Sequence, residues 1–143
     1  MAYSFQITGI ELLDFCLNEN HQKQGEKVTY QFEINIEHRY NIESGIVFVI
    51  CKVSIYNERK DLLFGNLKSS CDFKIENLAT YFDEKTKVLQ LPDQLVVTLN
   101  SLSVSTTRGL ISSQFRGTSL HNVVLPVIDP SKFVFNKNAC LKP

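Results

Sequence analysis

The apolar residues of the first 75 positions repeat with a period of two, and after position 75 that period ends. Between Val28 and Ile36 every second side chain is apolar, and the side chains between them are polar. This alternation is typical of antiparallel strands that turn one face to a core and the other to water. The same pattern predicts strands at about 4–17, 28–37, 46–56 and 62–75, joined by polar links such as 18–26. A chain that starts in this way is predicted to form a four-stranded antiparallel meander whose apolar face the later residues must cover.

The covering layer is predicted to be helical. A short helix is expected at about 76–82 and an exposed loop at 83–87. A long helix follows over 91–117, where Pro92 suits the first turn and Asp93 the positive end of the helix dipole. The β-branched residues of this stretch would favour a strand, but its apolar residues repeat at helical spacing. They form two opposite stripes: Leu95, Leu99, Leu102, Thr106 and Leu110 on one side, and Val97, Val104, Ile111 and Phe115 on the other.

We therefore predict a single α+β domain over residues 1–143. Its four-stranded antiparallel sheet is followed by a short helix and by one long helix packed on the sheet, and residues 119–143 form an extended tail.

Two sets of apolar residues exceed what this sheet and helix need. The first is Ile46, Phe48 and Ile50, on the second face of the third strand, which implies a second covering layer, a partner subunit or a ligand. The second is the helix stripe of Val97, Val104, Ile111 and Phe115, which is expected to form an oligomer interface because the first stripe already covers the sheet. The alternative is that the short helix or the C-terminal tail covers this stripe within the same chain.

Composition excludes several functional classes. The 143 residues include 15 basic and 15 acidic side chains, and this balance argues against a nucleic-acid-binding surface. No apolar run approaches the ~20 residues needed to cross a bilayer, and the first residues do not resemble a signal peptide. We therefore expect a cytoplasmic protein that does not insert into membranes.

The residue types that carry chemistry are dispersed along the chain. The cysteines form no Cys-x-x-Cys pair and are expected to be reduced: Cys16, Cys51, Cys71 and Cys140. The histidines are expected to be solvated or hydrogen-bonded loop residues: His21, His38 and His121. The glycines make no phosphate-binding motif. We predict no enzymatic activity, no metal and no cofactor.

The C-terminal half resembles a known family. Leu91-Pro92 begins the long helix, Arg116-Gly117-Thr118 follows its end, and Leu125-Pro126-Val127-Ile128-Asp129 lies in the link beyond. This order, after four antiparallel strands and a short helix, resembles the SecB family of protein-export chaperones. The opening Phe5-Gln6-Ile7 is similar to that family's first strand. The resemblance covers about residues 5–133.

The resemblance implies an ATP-independent holdase chaperone. Such a protein is a homotetramer, built as a dimer of dimers, that binds unfolded polypeptides in apolar surface grooves. The candidate groove residues of this chain are Ile46, Phe48, Ile50, Phe64 and Phe82. Clients bound for export and a dedicated client, such as a toxin–antitoxin partner, both fit this implication.

Two departures from the family bear on the partners. SecB proteins dock on the translocation ATPase SecA through an acidic surface, and they usually end in a second helix. This chain is neutral, and residues 131–143 are expected to form at most one helical turn, which argues against SecA as a partner. The competing hypothesis is a non-chaperone interaction module, an oligomer that recognises one folded partner or a small apolar ligand.

Overall fold

A computed structural model describes residues 4–18, 29–129 and 132–133. The residues outside this description include Val28, His21, Cys140, all of the predicted loop at 18–26 except residue 18, and residues 130–131 and 134–143 of the tail.

Four antiparallel strands form the main sheet: β1 (Phe5–Leu17), β2 (Gln31–Asn41), β3 (Ile46–Tyr56) and β4 (Leu63–Ile75). A 3-10 helix (Leu78–Tyr81) leads into a small hairpin of β5 (Phe82–Asp83) and β6 (Val88–Leu89), and the long helix α1 (Asp93–Gln114) follows. The predicted fold class, an α+β fold with a four-stranded antiparallel sheet and one long helix, is confirmed. The hairpin brackets the predicted loop at 83–87, and the short helix is a single 3-10 turn.

The strand order is β1-β4-β3-β2, so the expectation of a simple meander is wrong for β1. A meander would place β1 beside β2, whereas β1 pairs with β4 at the opposite edge. The reason is the length of the first connection: the chain from residue 18 to residue 30 is long enough to cross the sheet, while the other two connections are short turns.

The sheet has two unlike faces. The inner face, which carries α1, includes the odd-numbered side chains of β3, and Val47, Val49, Cys51, Val53 and Ile55 are all fully buried there. The even-numbered side chains of β3 lie on the opposite, outer face and are exposed or half-buried. The alternation seen in the sequence therefore gives the correct faces of this strand.

Several hydroxyl side chains of the helix bond to its own backbone. Thr98, Ser103, Thr106 and Thr107 each donate a hydrogen bond to the backbone carbonyl four residues earlier, over 2.7–2.9 Å. Small hydroxyl side chains also let the helix lie close to the sheet. The hydroxyl groups of Ser69 in β4 and Thr107 in α1 form a hydrogen bond of 2.8 Å. In its 22 residues α1 spans about 33 Å and lies over β3 and β4.

Candidate functional site

An apolar stripe runs along the middle of the outer face. It consists of Ile46, Phe48 and Ile50 of β3, which we call the outer stripe; all three are half-buried. They belong to neither of the two buried clusters that the described residues form, nor do they pack against one. Three of the five predicted groove residues therefore lie together, in line, on the face that α1 does not cover.

The sheet register fixes what flanks the outer stripe. Arg39 and Glu37 of β2 lie opposite Phe48 and Ile50, and the two form an ion pair with each other. On the β4 side the neighbours are Lys74, Asp72 and Ser70, and the Ser70 hydroxyl donates to the Asp72 carboxylate at 2.8 Å. The stripe is therefore a narrow apolar strip between polar rows.

The other two predicted groove residues lie elsewhere, so the expectation of one groove made by all five is wrong. Phe64 is buried in the inner core, where its ring centre lies 5.8 Å from that of Tyr30. The reason is a register shift between β3 and β4 just before Tyr56, which moves Phe64 out of the alternation. Phe82 is half-buried against the inner core and its ring centre lies 6.4 Å from that of Tyr40.

The predicted oligomer stripe on α1 is also corrected. Val104, Ile111 and Phe115 are buried in the inner core of their own chain, and only Val97 is half-buried. The C-terminal segment covers this side of the helix: Leu120, Val123 and Leu125 belong to the same buried cluster. The alternative in which the tail covers the stripe within the same chain is the one observed.

Arg108 holds this segment on the helix. Its Nε donates to the carbonyl of Leu125 at 2.9 Å, and its Nη2 donates to the carbonyl of Pro126 at 3.0 Å. Further along, the Asn100 side-chain amide donates to the carbonyl of Phe133 at 3.3 Å. The segment therefore runs back beside α1, on the side of the helix that faces β2.

A second apolar surface, which the sequence interpretation missed, lies along β1. The pairing of β1 with β4 contains two irregularities, between Ile7 and Gly9 and between Leu12 and Asp14. Each irregularity inserts one extra residue into β1 and changes which positions face inward. The inward-facing side chains are at odd positions up to Ile7, at even positions from Ile10 to Leu12, and at odd positions again from Phe15. The members of this β1 stripe are Phe5, Ile7, Ile10, Leu12, Phe15 and Leu17.

The ends of the β1 stripe touch the core, and its middle does not. The ring centres of Phe5 and Phe73 are 6.1 Å apart, and those of Phe15 and Phe115 are 5.1 Å apart. The five residues from Ile7 to Leu17 in the stripe are nevertheless 37–50% exposed. Among the described residues, the C-terminal segment completes the inner layer on the β2 side and none covers the middle of the β1 stripe.

The titratable groups of the core are buried, and burial favours their neutral forms. His38 is a buried residue of β2, not the loop residue expected from the sequence, and its Nε2 lies 2.6 Å from the Asn100 Oδ1. Burial lowers the pKa of His38, and the bond to Asn100 only partly opposes this. Burial raises the pKa of the Cys51 thiol to about 11 and also raises the pKa of Cys71, which makes both poor nucleophiles.

Within residues 4–18, 29–129 and 132–133, no three His, Cys, Asp or Glu side chains are placed to hold a metal ion together. None of the helices in that part of the chain is long and apolar enough to span a membrane.

The fold is that of the SecB-like chaperones, as the sequence resemblance implied. The SecB-like chaperone Rv1957 of Mycobacterium tuberculosis was solved in complex with a ChAD peptide from the HigA1 antitoxin Rv1956. It matches with a TM-score of 0.64 and 14% sequence identity, over 87% of this chain and 90% of that chain. A protein of unknown function from Streptococcus agalactiae matches with a TM-score of 0.45 and 12% identity, over 89% of this chain and 100% of that one. No family model and no curated protein sequence matches this chain.

Proposed function

We propose that this protein is an ATP-independent holdase chaperone that binds unfolded segments of other polypeptides on its outer face. The observation that carries the proposal is the outer stripe: Ile46, Phe48 and Ile50 lie in line on a sheet face that no described element covers. An apolar surface of this kind marks an interaction site, because leaving it in water costs free energy that a bound partner recovers. The SecB-like fold supports the same conclusion, since the M. tuberculosis neighbour was solved with a bound peptide.

The test is an aggregation assay with several unrelated unfolded proteins and no nucleotide. We expect the wild-type protein to delay aggregation of most of them, and the double variant Phe48→Ser/Ile50→Ser to lose most of this activity. Leu62→Ser is the matched control, because Leu62 is an exposed apolar residue in the turn before β4, away from the stripe. If the double variant stays folded and protects clients as well as the wild type does, the outer stripe is not the client surface.

The client range decides between a general and a dedicated chaperone. The neighbour's peptide comes from an antitoxin, which favours a single dedicated client as the narrower form of the proposal. A protein that protects one partner and leaves the unrelated clients unprotected would belong to this narrower form. Export through SecA stays outside the proposal, because 15 basic and 15 acidic side chains differ from the acidic balance of the family that docks on SecA.

The proposal includes a homo-oligomer, and a homotetramer is the form that the family resemblance implies. The helix residues Val104, Ile111 and Phe115 are unavailable as its interface because they are buried in the chain's own core. The β1 stripe takes their place in the proposal, since it is apolar, lies on an edge strand of the sheet and is exposed among the described residues.

A further inference from the structure

Two lysines lie side by side where the outer stripe ends. Lys52 follows Ile50 by two residues in β3, so it occupies the next position on the outer face. Lys68 of β4 is its direct cross-strand partner. The row that crosses the sheet here is Asn35, Lys52, Lys68 and Asp14, from β2 to β1.

Like charges directly opposite each other destabilise a sheet, so a nearby anion is expected to relieve this pair. Three carboxylates on this face, including Asp14 directly opposite Lys68, already accept hydrogen bonds from other groups. Asp14 accepts a hydrogen bond from the backbone amide of Phe15 at 2.9 Å, Glu37 pairs with Arg39, and Asp72 accepts from the Ser70 hydroxyl. Across the described part of the chain, neither lysine has an acidic group within 4 Å.

We propose that the two lysines select the clients of the outer face: they favour extended segments in which a carboxylate follows an alternating apolar triplet. An extended segment advances about 3.3 Å per residue, and its alternate side chains share one face. A segment that runs in the same direction as β3, with apolar residues at positions 1, 3 and 5 over the outer stripe, places its position 7 beside Lys52 and Lys68. Asp or Glu at position 7 then sits between two ammonium groups. This inference rests on the proposed function, because it assumes that clients lie on the outer stripe.

The test uses two labelled nonapeptides that differ only at position 7, one with Asp and one with Lys, and measures their binding to the full-length protein by fluorescence anisotropy. We expect the Asp peptide to bind roughly three- to tenfold more tightly, as exposed ion pairs allow, and the preference to shrink as salt is raised. In the double variant Lys52→Glu/Lys68→Glu the preference is expected to reverse. Lys85→Glu is the matched control, since Lys85 lies between β5 and β6, away from this face.

Each other outcome overturns the inference. Equal binding of the two peptides removes the selection by charge but leaves the proposed function standing, because binding to the stripe persists. Binding of neither peptide, together with full protection of unfolded clients, places the client surface elsewhere. A change of oligomer size in Lys52→Glu/Lys68→Glu would make the outer face an interface between copies. As a second readout that does not require the double variant to fold, Lys52→Gln alone should weaken the preference, and an unchanged preference would contradict the inference.

Discussion

At the scale of single residues, Gly65 shows how closely three parts of the chain approach one another. A Cβ atom at this position would lie 2.8 Å from the carbonyl oxygen of Cys16, 3.2 Å from Leu120 Cδ1 and 3.3 Å from Phe115 Cε1. The first of these atoms is backbone of β1 and cannot turn away. Gly65→Ala is therefore expected to lower the free energy of unfolding by about 1–3 kcal/mol.

Gly109 provides the matched control for this substitution. It lies in the exposed part of α1, and a Cβ there would meet nothing within 4 Å. Gly109→Ala should raise the free energy of unfolding by roughly 0.5–1 kcal/mol, because alanine restricts the unfolded chain and favours the helix. Urea unfolding of both variants measures the two effects, and a Gly65→Ala protein as stable as the wild type would contradict the close approach.

At the scale of elements, His38 and Asn100 join β2 to α1 and make the joint sensitive to pH. The pKa of His38 is lowered in the folded protein by burial, while in the unfolded chain it has its ordinary value of about 6.5. Between these two values the unfolded state binds more protons, so stability is complete above about pH 6.5 and is lost as the pH falls towards the folded pKa.

We expect the free energy of unfolding, measured from pH 7.5 to 5, to fall less steeply in His38→Gln than in the wild type. Glutamine can still donate to Asn100 but cannot take up the proton. His121→Gln serves as the control for a second histidine, because His121 is exposed and accepts a hydrogen bond from the Gly117 amide. Identical slopes for the wild type and His38→Gln would show that burial of His38 does not govern the pH dependence.

The elements also show what the sequence could and could not reveal. The faces of β3 follow from its alternation, which runs unbroken from Val47 to Ile55. In β1 the apolar phase changes from odd to even at Ile10 and back to odd at Phe15, and this change is itself the sequence signal of the two irregularities. The position of Phe64 had no such signal, because its register shift follows from how β4 pairs and not from the pattern within β4.

At the scale of the whole molecule, the amount of surplus apolar surface was predictable but its location was not. The periodicity of the sequence identifies an apolar stripe that must be buried. Which segment buries it depends on where distant parts of the chain pack. Here Arg108 holds residues 125–126 on the helix, and Val104 and Ile111 are buried within the chain. The apolar surface that the described residues leave exposed lies instead on β1, at the edge of the sheet.

That edge is where we expect a second copy of the chain to bind. A free strand edge with an apolar face invites pairing, and natural monomers usually protect such an edge with charge or bulges. The irregularities of β1 have the opposite effect here, because they keep its apolar side chains on one face. Ile10→Lys and Leu12→Lys place charge in the middle of this stripe without touching the core, since both side chains are well exposed in the single chain.

We therefore expect the wild type to be an oligomer at micromolar concentration by light scattering, and Ile10→Lys/Leu12→Lys to have a smaller mass with its far-ultraviolet circular dichroism unchanged. Leu62→Lys, which changes an equally exposed leucine off the stripe, should leave the mass unaltered. A wild-type monomer, or an oligomer whose mass the β1 variant does not change, would contradict this interface. The second result would place the contact between subunits on another surface, and the outer stripe would be the first to test, because a client and a partner subunit would compete for it.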